Sequence, residues 1–148
     1  MVRYRTLAVS LMFALLAACT SQAQQSPNKT LYQRLGGYDA IAAVSDDFIM
    51  RLGSDPQFAK FFAGFSVDSQ KRLRQMIVEL LCQESGGPCF YTGRSMKQSH
   101  AGLRISDDDW NKSAVHLTAA MDRFRVGAQE KNEILALAGK LRPDIVER

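Results

Sequence analysis

From Tyr38 onward the apolar residues recur at steps of three and four, and no segment alternates with period two. That pattern leaves a helical core as the solution and argues against a sheet. Ile41, Val44, Phe48 and Leu52 share one helix face, and Gly53 follows at a position where helices commonly stop. In "DPQFAKFF", Pro56 sits near the start of a short helical turn carrying Phe58, Phe61 and Phe62. Asp68 or Ser69 can cap the next segment, whose stripe is Leu73, Met76, Ile77, Leu80 and Leu81. The chain then breaks at "ESGGP".

"ISDDDW" reads as a helix start, with Ser106 at the N-cap, Asp109 three residues on, and three aspartates at the positive end of the dipole. Trp110, Ala114, Leu117, Met121 and Phe124 form its stripe. Gly127 separates it from a last helix with Ile134, Leu137, Ala138 and Leu141, closed by Pro143. The expected fold class is all-α, with about five substantial helices and no repeat.

The first residues read as a leader. "MVRYR" supplies two arginines, and an apolar run extends from Thr6 to Cys19, shorter than the roughly 20 residues of a spanning helix. Its end, Leu16-Ala17-Ala18-Cys19, resembles the bacterial lipobox, in which cleavage leaves Cys19 as a lipid-bearing N-terminus. Cleavage after Ala23 is the competing reading and would give a soluble periplasmic protein. The polar "TSQAQQSPNKT" (20–30) reads as a flexible tether, so the expected division is leader 1–19, tether 20–30 and one domain 31–148. The expected place is the cell envelope, facing the periplasm; Thr20 rather than Asp after Cys19 points to the outer membrane over the inner.

Removing Arg3 and Arg5 lowers the formal charge from +4 to +2, with 17 basic against 15 acidic residues. No Lys/Arg cluster suggests a nucleic-acid partner. Cys82 and Cys89, seven apart around Gly86, Gly87 and Pro88, are spaced to close a small disulfide loop in an oxidising compartment. A zinc site would need further ligands at regular spacing, and they are absent.

His100 ends the irregular stretch "GGPCFYTGRSMKQSH", with Met96 one helical turn before it. A histidine so placed is exposed, buried with a hydrogen-bonded ring, or bound to a metal. Carboxylate and cysteine partners are missing, so an iron on His100 needs its other ligands from a porphyrin. The aromatic residues nearby suit either an apolar slot or an ordinary helical core.

The segments "LYQRLGG" (31–37), "DDFIMRL" (46–52), "FAKFFAG" (58–64), "GGPCFYTG" (86–93), "MKQSHAGLRI" (96–105) and "HLTAAMD" (116–122) occur in an order that resembles the group I truncated haemoglobins. The resemblance implies a shortened globin, two helices over two, around one haem b. It places the iron ligand at His100 and haem contacts at Phe48, Phe62, Met76, Tyr91, Met96 and Trp110. Lys97 and Arg104 fall where a cation reaches a propionate or simply sits in solvent. Gly36 and Gly37 match the end of the reduced first helix, Gly86 and Gly87 the break before the proximal stretch. His116 falls at a structural position and is expected to be a hydrogen-bonded packing residue.

The distal side departs from the family. Many relatives carry a tyrosine directly after the phenylalanine matching Phe48, and this chain has Ile49. Arg72, Gln75 and Met76 are the expected distal residues, with Gln75 the remaining donor. The resemblance implies reversible binding of O2, and of NO and CO, with NO oxidation to nitrate and a partner reductase as further expectations. Two other readings stay open: a gas or redox sensor acting through Cys82 and Cys89, and a haem-free helical lipoprotein of the envelope.

Overall fold

The computed structural model describes residues 29–147. The leader, Cys19, the Ala23 cleavage site and the tether up to residue 28 lie outside the described residues. Thr30, read as the tether's last residue, belongs to the fold: it caps α1 (Leu31–Leu35), accepting from the Gln33 N–H while the Gln33 side chain accepts from the Thr30 N–H. Gly36 ends α1 at φ 100°, a left-handed value that suits glycine.

Six further helices follow: α2 (Tyr38–Ser54), α3 (Ala59–Phe62), α4 (Val67–Glu84), α5 (Met96–His100), α6 (Asp107–Arg123) and α7 (Ala128–Ile145). No strand occurs among the described residues. The all-α expectation holds, but as four long helices and three short ones.

Several helix ends differ from the sequence reading. α2 runs through Gly53 to Ser54, because one glycine costs a helix only about 1 kcal/mol when packing favours its continuation. α4 is capped by Ser66, whose hydroxyl accepts from the Ser69 N–H, so neither Asp68 nor Ser69 is the cap. Pro143 lies inside α7, which continues to Ile145. In a last turn the missing N–H removes a single bond, and the Arg142 carbonyl still accepts from Val146. Phe124 is the C-cap of α6 and is exposed rather than on its buried stripe. Ser106 caps α6 through the expected box with Asp109.

α2 is the hub, packed on α4 to one side and α6 to the other, while α7 packs on α6. One core cluster joins Leu31, Val44, Leu117, Ala120, Met121 and Ile134; a second joins Ile41 and Ala42 to Val78 and Cys82. The buried Asp47 carboxylate ties α2 to α6, accepting from Arg51 Nε at 2.6 Å and Arg123 Nη1 at 2.5 Å. Burial pushes its pKa up, but the two guanidiniums together hold it below the usual range. The short α5 packs on α7. The helices bearing the distal and proximal candidates are therefore carried by different partners. Among the described residues no helix is long and apolar enough to cross a membrane.

Candidate functional site

α5 is short, and its start is well specified. Ser95 caps it in a reciprocal box with Gln98. One turn on, His100 Nδ1 lies 2.8 Å from the Met96 carbonyl oxygen. A carbonyl only accepts, so Nδ1 carries the proton and donates. Nε2 then keeps its lone pair, and it makes no hydrogen bond among the described residues. An imidazole held this way has fixed tautomer and fixed orientation, the usual preparation of a metal ligand.

The loop before α5 is stapled to α4. Cys82 and Cys89 are joined in a disulfide with Cα atoms 5.7 Å apart. At Gly87 a Cβ would stand 2.5 Å from the Tyr32 ring and 2.7 Å from Cys82 Sγ, so only glycine lets the chain pass. The Tyr91 N–H donates to Gln83 Oε1 at 2.8 Å. Thr92 donates to Glu79 Oε2 from its N–H at 3.0 Å and its hydroxyl at 2.8 Å, and the Gln75 amide donates to Glu79 Oε1 at 2.7 Å. Gln75 and the two Thr92 donors hold the Glu79 carboxyl below the usual carboxylate range. Glu79 and Gln83 were missed in the sequence. Their signal is spacing: residues 75, 79 and 83 form a polar row on α4, which reads equally well as a solvated face.

Two of the distal candidates point away from the core. Arg72 and Gln75 are exposed, and the Gln75 amide is engaged by Glu79, so it is not a free donor for a bound gas. Met76 is half-buried. A Cβ on Gly93 would meet both Met76 Sδ, at 2.8 Å, and the Tyr91 hydroxyl, at 2.3 Å, which brings those two side chains together across the loop. The Tyr91 hydroxyl itself donates to the Arg94 carbonyl at 2.8 Å. Phe48 is half-buried against the first core cluster, Ile49 is half-buried beside it in sequence, and Phe62 meets Phe65 edge-on at 5.6 Å. Lys97 and Arg104 are exposed. Arg104 adopts φ 53°, and its N–H and that of Gly102 donate to the Glu147 carboxylate at 2.9 and 2.5 Å.

The other histidine is committed elsewhere. His116 Nε2 lies 2.8 Å from Asp55 Oδ2, and its ring stands edge-on to Phe58 at 5.8 Å. The Gln57 N–H, Lys112 and His116 together pull the Asp55 carboxyl down to about 2. His116 is the hydrogen-bonded packing residue expected.

The half-buried apolar residues of the surrounding helices have the chemistry that fits a haem. Leu73, Met76, Ile77 and Leu80 of α4, Met96 of α5, Trp110 of α6 and Leu141 of α7 are only half-buried, and none belongs to either core cluster. Apolar side chains left half-covered between helices are the lining an apolar planar cofactor completes. No group of three or more His, Cys, Asp or Glu among the described residues is placed to hold a metal ion alone. A single imidazole therefore suits an iron that brings its other four nitrogens with it. A separate apolar cavity of about 180 Å³, bounded by residues that include Leu35, Val44, Met121 and Ile134, involves none of these candidates.

Comparison with known proteins agrees. The bacterial-like globin family model matches residues 30–147. The group 1 truncated haemoglobin of Mycolicibacterium paratuberculosis is 34% identical over 116 residues, covering 78% of this chain and 83% of the relative. That of Nostoc sp. is 36% identical over 106 residues, covering 72% and 87%. In fold, the crystal structure of Tetrahymena pyriformis truncated haemoglobin in its Fe(III) form matches with a TM-score of 0.73 at 24% identity, over 81% of this chain and all of that one. The chain therefore belongs to the group 1 truncated haemoglobins of the bacterial-like globin family, with haem b as its cofactor and haem-based binding of diatomic gases as its function.

Proposed function

We propose that this is an exported, envelope-located truncated globin, lipid-anchored at Cys19, in which His100 Nε2 holds the haem iron. The observation that carries the ligand assignment is the 2.8 Å bond from His100 Nδ1 to the Met96 carbonyl, which leaves Nε2 as the free nitrogen. Haem, when bound, supplies a ferrous iron with one position open to O2, NO or CO.

The chain's own residues set how that position behaves. The Met96 carbonyl fixes the imidazole and raises its donor strength. Phe62, Met76, Ile77 and Leu80 limit water on the slot's apolar walls. Ile49 offers no hydroxyl and Gln75 is engaged by Glu79, so a polar ligand finds fewer hydrogen-bond donors. O2 retention is accordingly weaker than in relatives with a tyrosine at the matching position. Lys97 and Arg104, exposed and cationic, are the residues available to the two propionates.

The finer reading is removal of NO: one NO, one O2 and one electron give one nitrate, the electron coming from a reductase. Rapid mixing of the O2-loaded protein with NO tests it. Stoichiometric nitrate within the mixing time is expected, and slow, partial conversion counts against it. Mass analysis of the purified N-terminus tests the anchor: a diacylglyceryl group on Cys19 supports it, and a free N-terminus at Gln24 points to the soluble periplasmic form. The Cys82–Cys89 bond supports a second reading, a redox-responsive gas sensor. A shift in CO affinity on reduction would favour it, and unchanged affinity would remove it.

A further inference from the structure

We propose that the stapled loop 86–94 is a membrane-contact element, in which Phe90 enters the acyl region of an anionic bilayer while Arg94 meets the headgroups. The inference rests on the export and anchoring reading for its biological setting.

Phe90 is 83% exposed, more than any other large apolar side chain among the described residues. A lone exposed leucine is ordinary, but this ring is displayed on a fixed platform. The residue before it is bonded to Cys82, and the N–H of the residue after it is held by Gln83 at 2.8 Å. A ring presented so rigidly loses little conformational freedom on insertion. It has no packing role of its own in the fold.

In sequence no acidic residue occurs between Glu84 and Asp107, and the nearest carboxylate, Glu79, is engaged at the base of the loop by both Thr92 donors. Arg94 is exposed and forms no ion pair among the described residues. The Tyr91 hydroxyl donates to the Arg94 carbonyl at 2.8 Å, which holds the backbone at Arg94 to the loop. An exposed apolar side chain beside a free cation is the composition that recognises an anionic lipid surface.

The third observation is where the rest of the chain joins. A Cβ on Gly86 would stand 3.4 Å from the Thr30 Cβ, and the Tyr32 N–H donates to the Ser85 carbonyl at 2.8 Å. Thr30 and Tyr32, near the start of the described residues, therefore lie at the base of this same loop. A lipid on Cys19, eleven residues before Thr30, would keep this end of the domain within reach of the bilayer. Tethering also raises the local lipid concentration, so a weak contact suffices. Burying the ring contributes about a tenfold to hundredfold preference, and the Arg94 cation about fivefold at low salt.

The test uses the haem-loaded full chain, expressed with its own leader and placed on vesicles of phosphatidylethanolamine and phosphatidylglycerol. Amide hydrogen exchange in 86–94 is expected to slow about tenfold relative to vesicles of phosphatidylcholine alone, with the turn at Arg125–Gly127 unchanged. Phe90→Asp, at an exposed position, is expected to abolish the slowing while leaving the helical circular dichroism unaltered. In a second arm, flotation of the Cys19→Ala chain with the same anionic vesicles is expected to fall about tenfold in Phe90→Asp. Lipid on Cys19 with no slowing in the loop would overturn the inference and leave the anchor standing. Slowing and flotation by a chain that carries no lipid would sustain the inference and remove the anchor. Slowing that requires an added envelope protein, and not lipid, would overturn it in favour of a protein partner.

Discussion

Opening the Cys82–Cys89 disulfide isolates how the distal helix and the proximal loop are joined. The two cysteines are seven residues apart. Closing a loop of that size removes roughly 2.5 kcal/mol of chain entropy from the unfolded state in the loop-closure treatment. Reduction leaves both sulfurs in place, so no cavity forms at Cys82, which is fully buried. The folded loop also keeps its other ties, from Tyr91 to Gln83 and from Thr92 to Glu79. The effect is therefore expected in the unfolded ensemble, with the native geometry preserved. Urea unfolding of the haem-loaded protein, followed by far-ultraviolet circular dichroism with and without a phosphine reductant, measures it. Reduced protein should unfold about 2.5 kcal/mol more easily, with a somewhat larger denaturant dependence and an unchanged native spectrum. A loss below about 0.5 kcal/mol, or a collapse of native helicity on reduction, would refute the reasoning.

Ile49→Tyr should restore a hydroxyl beside the ligand and slow O2 release about tenfold, measured by stopped-flow displacement with CO; an unchanged rate would mean the side chain points away. Gly87→Ala should lower stability by roughly 2 kcal/mol or more, because its Cβ would stand 2.8 Å or less from the Tyr32 ring, Cys82 Sγ and the Cys82 carbonyl, and thermal unfolding reads the loss. Asp55 and Asp109 both have carboxyl pKa values near 2, below the ordinary value of 3.8. Desolvation works against ionisation at Asp109 but is outweighed by Gln57 and Ser106, with Lys60 adding to them. Folded values below unfolded ones contribute stability that is present above about pH 4 and lost as pH falls toward about 2. Asp109→Asn should flatten the pH dependence of unfolding in that window, and a profile unchanged from the parent would contradict it.

The long helices were legible because burial on one face forces a 3.6-residue period, and Ile41, Val44 and Phe48 or Leu117 and Met121 carry it plainly. Their ends were less so. Ser66 against Asp68 or Ser69, and Pro143 inside α7, turn on local hydrogen bonds that several neighbouring residues satisfy equally well on paper. His100 was singled out by its surroundings, but periodicity alone left it among three fates, and the resemblance of whole segments gave it a role. The one-turn spacing from Met96 was visible, though not that the carbonyl would take the Nδ1 proton. The loop's anchors were not visible at all. Glu79 and Gln83 find their partners only where the loop folds Tyr91 and Thr92 back over α4, and Glu147 reaches Gly102 and Arg104 from the far end of the chain. Such pairings are tertiary, and a one-dimensional pattern holds no trace of them. Gln75 shows the converse, since its neighbour Glu79 claims an amide that helix position alone would offer to the ligand.

The most direct measurement is the absorption spectrum of His100→Gly with and without free imidazole. The expected result is a Soret band in the parent, loss or a large shift of it in the variant, and return of the parent spectrum when imidazole fills the space left by the side chain. A variant that binds haem with the parent's spectrum and ignores imidazole would contradict ligation by His100.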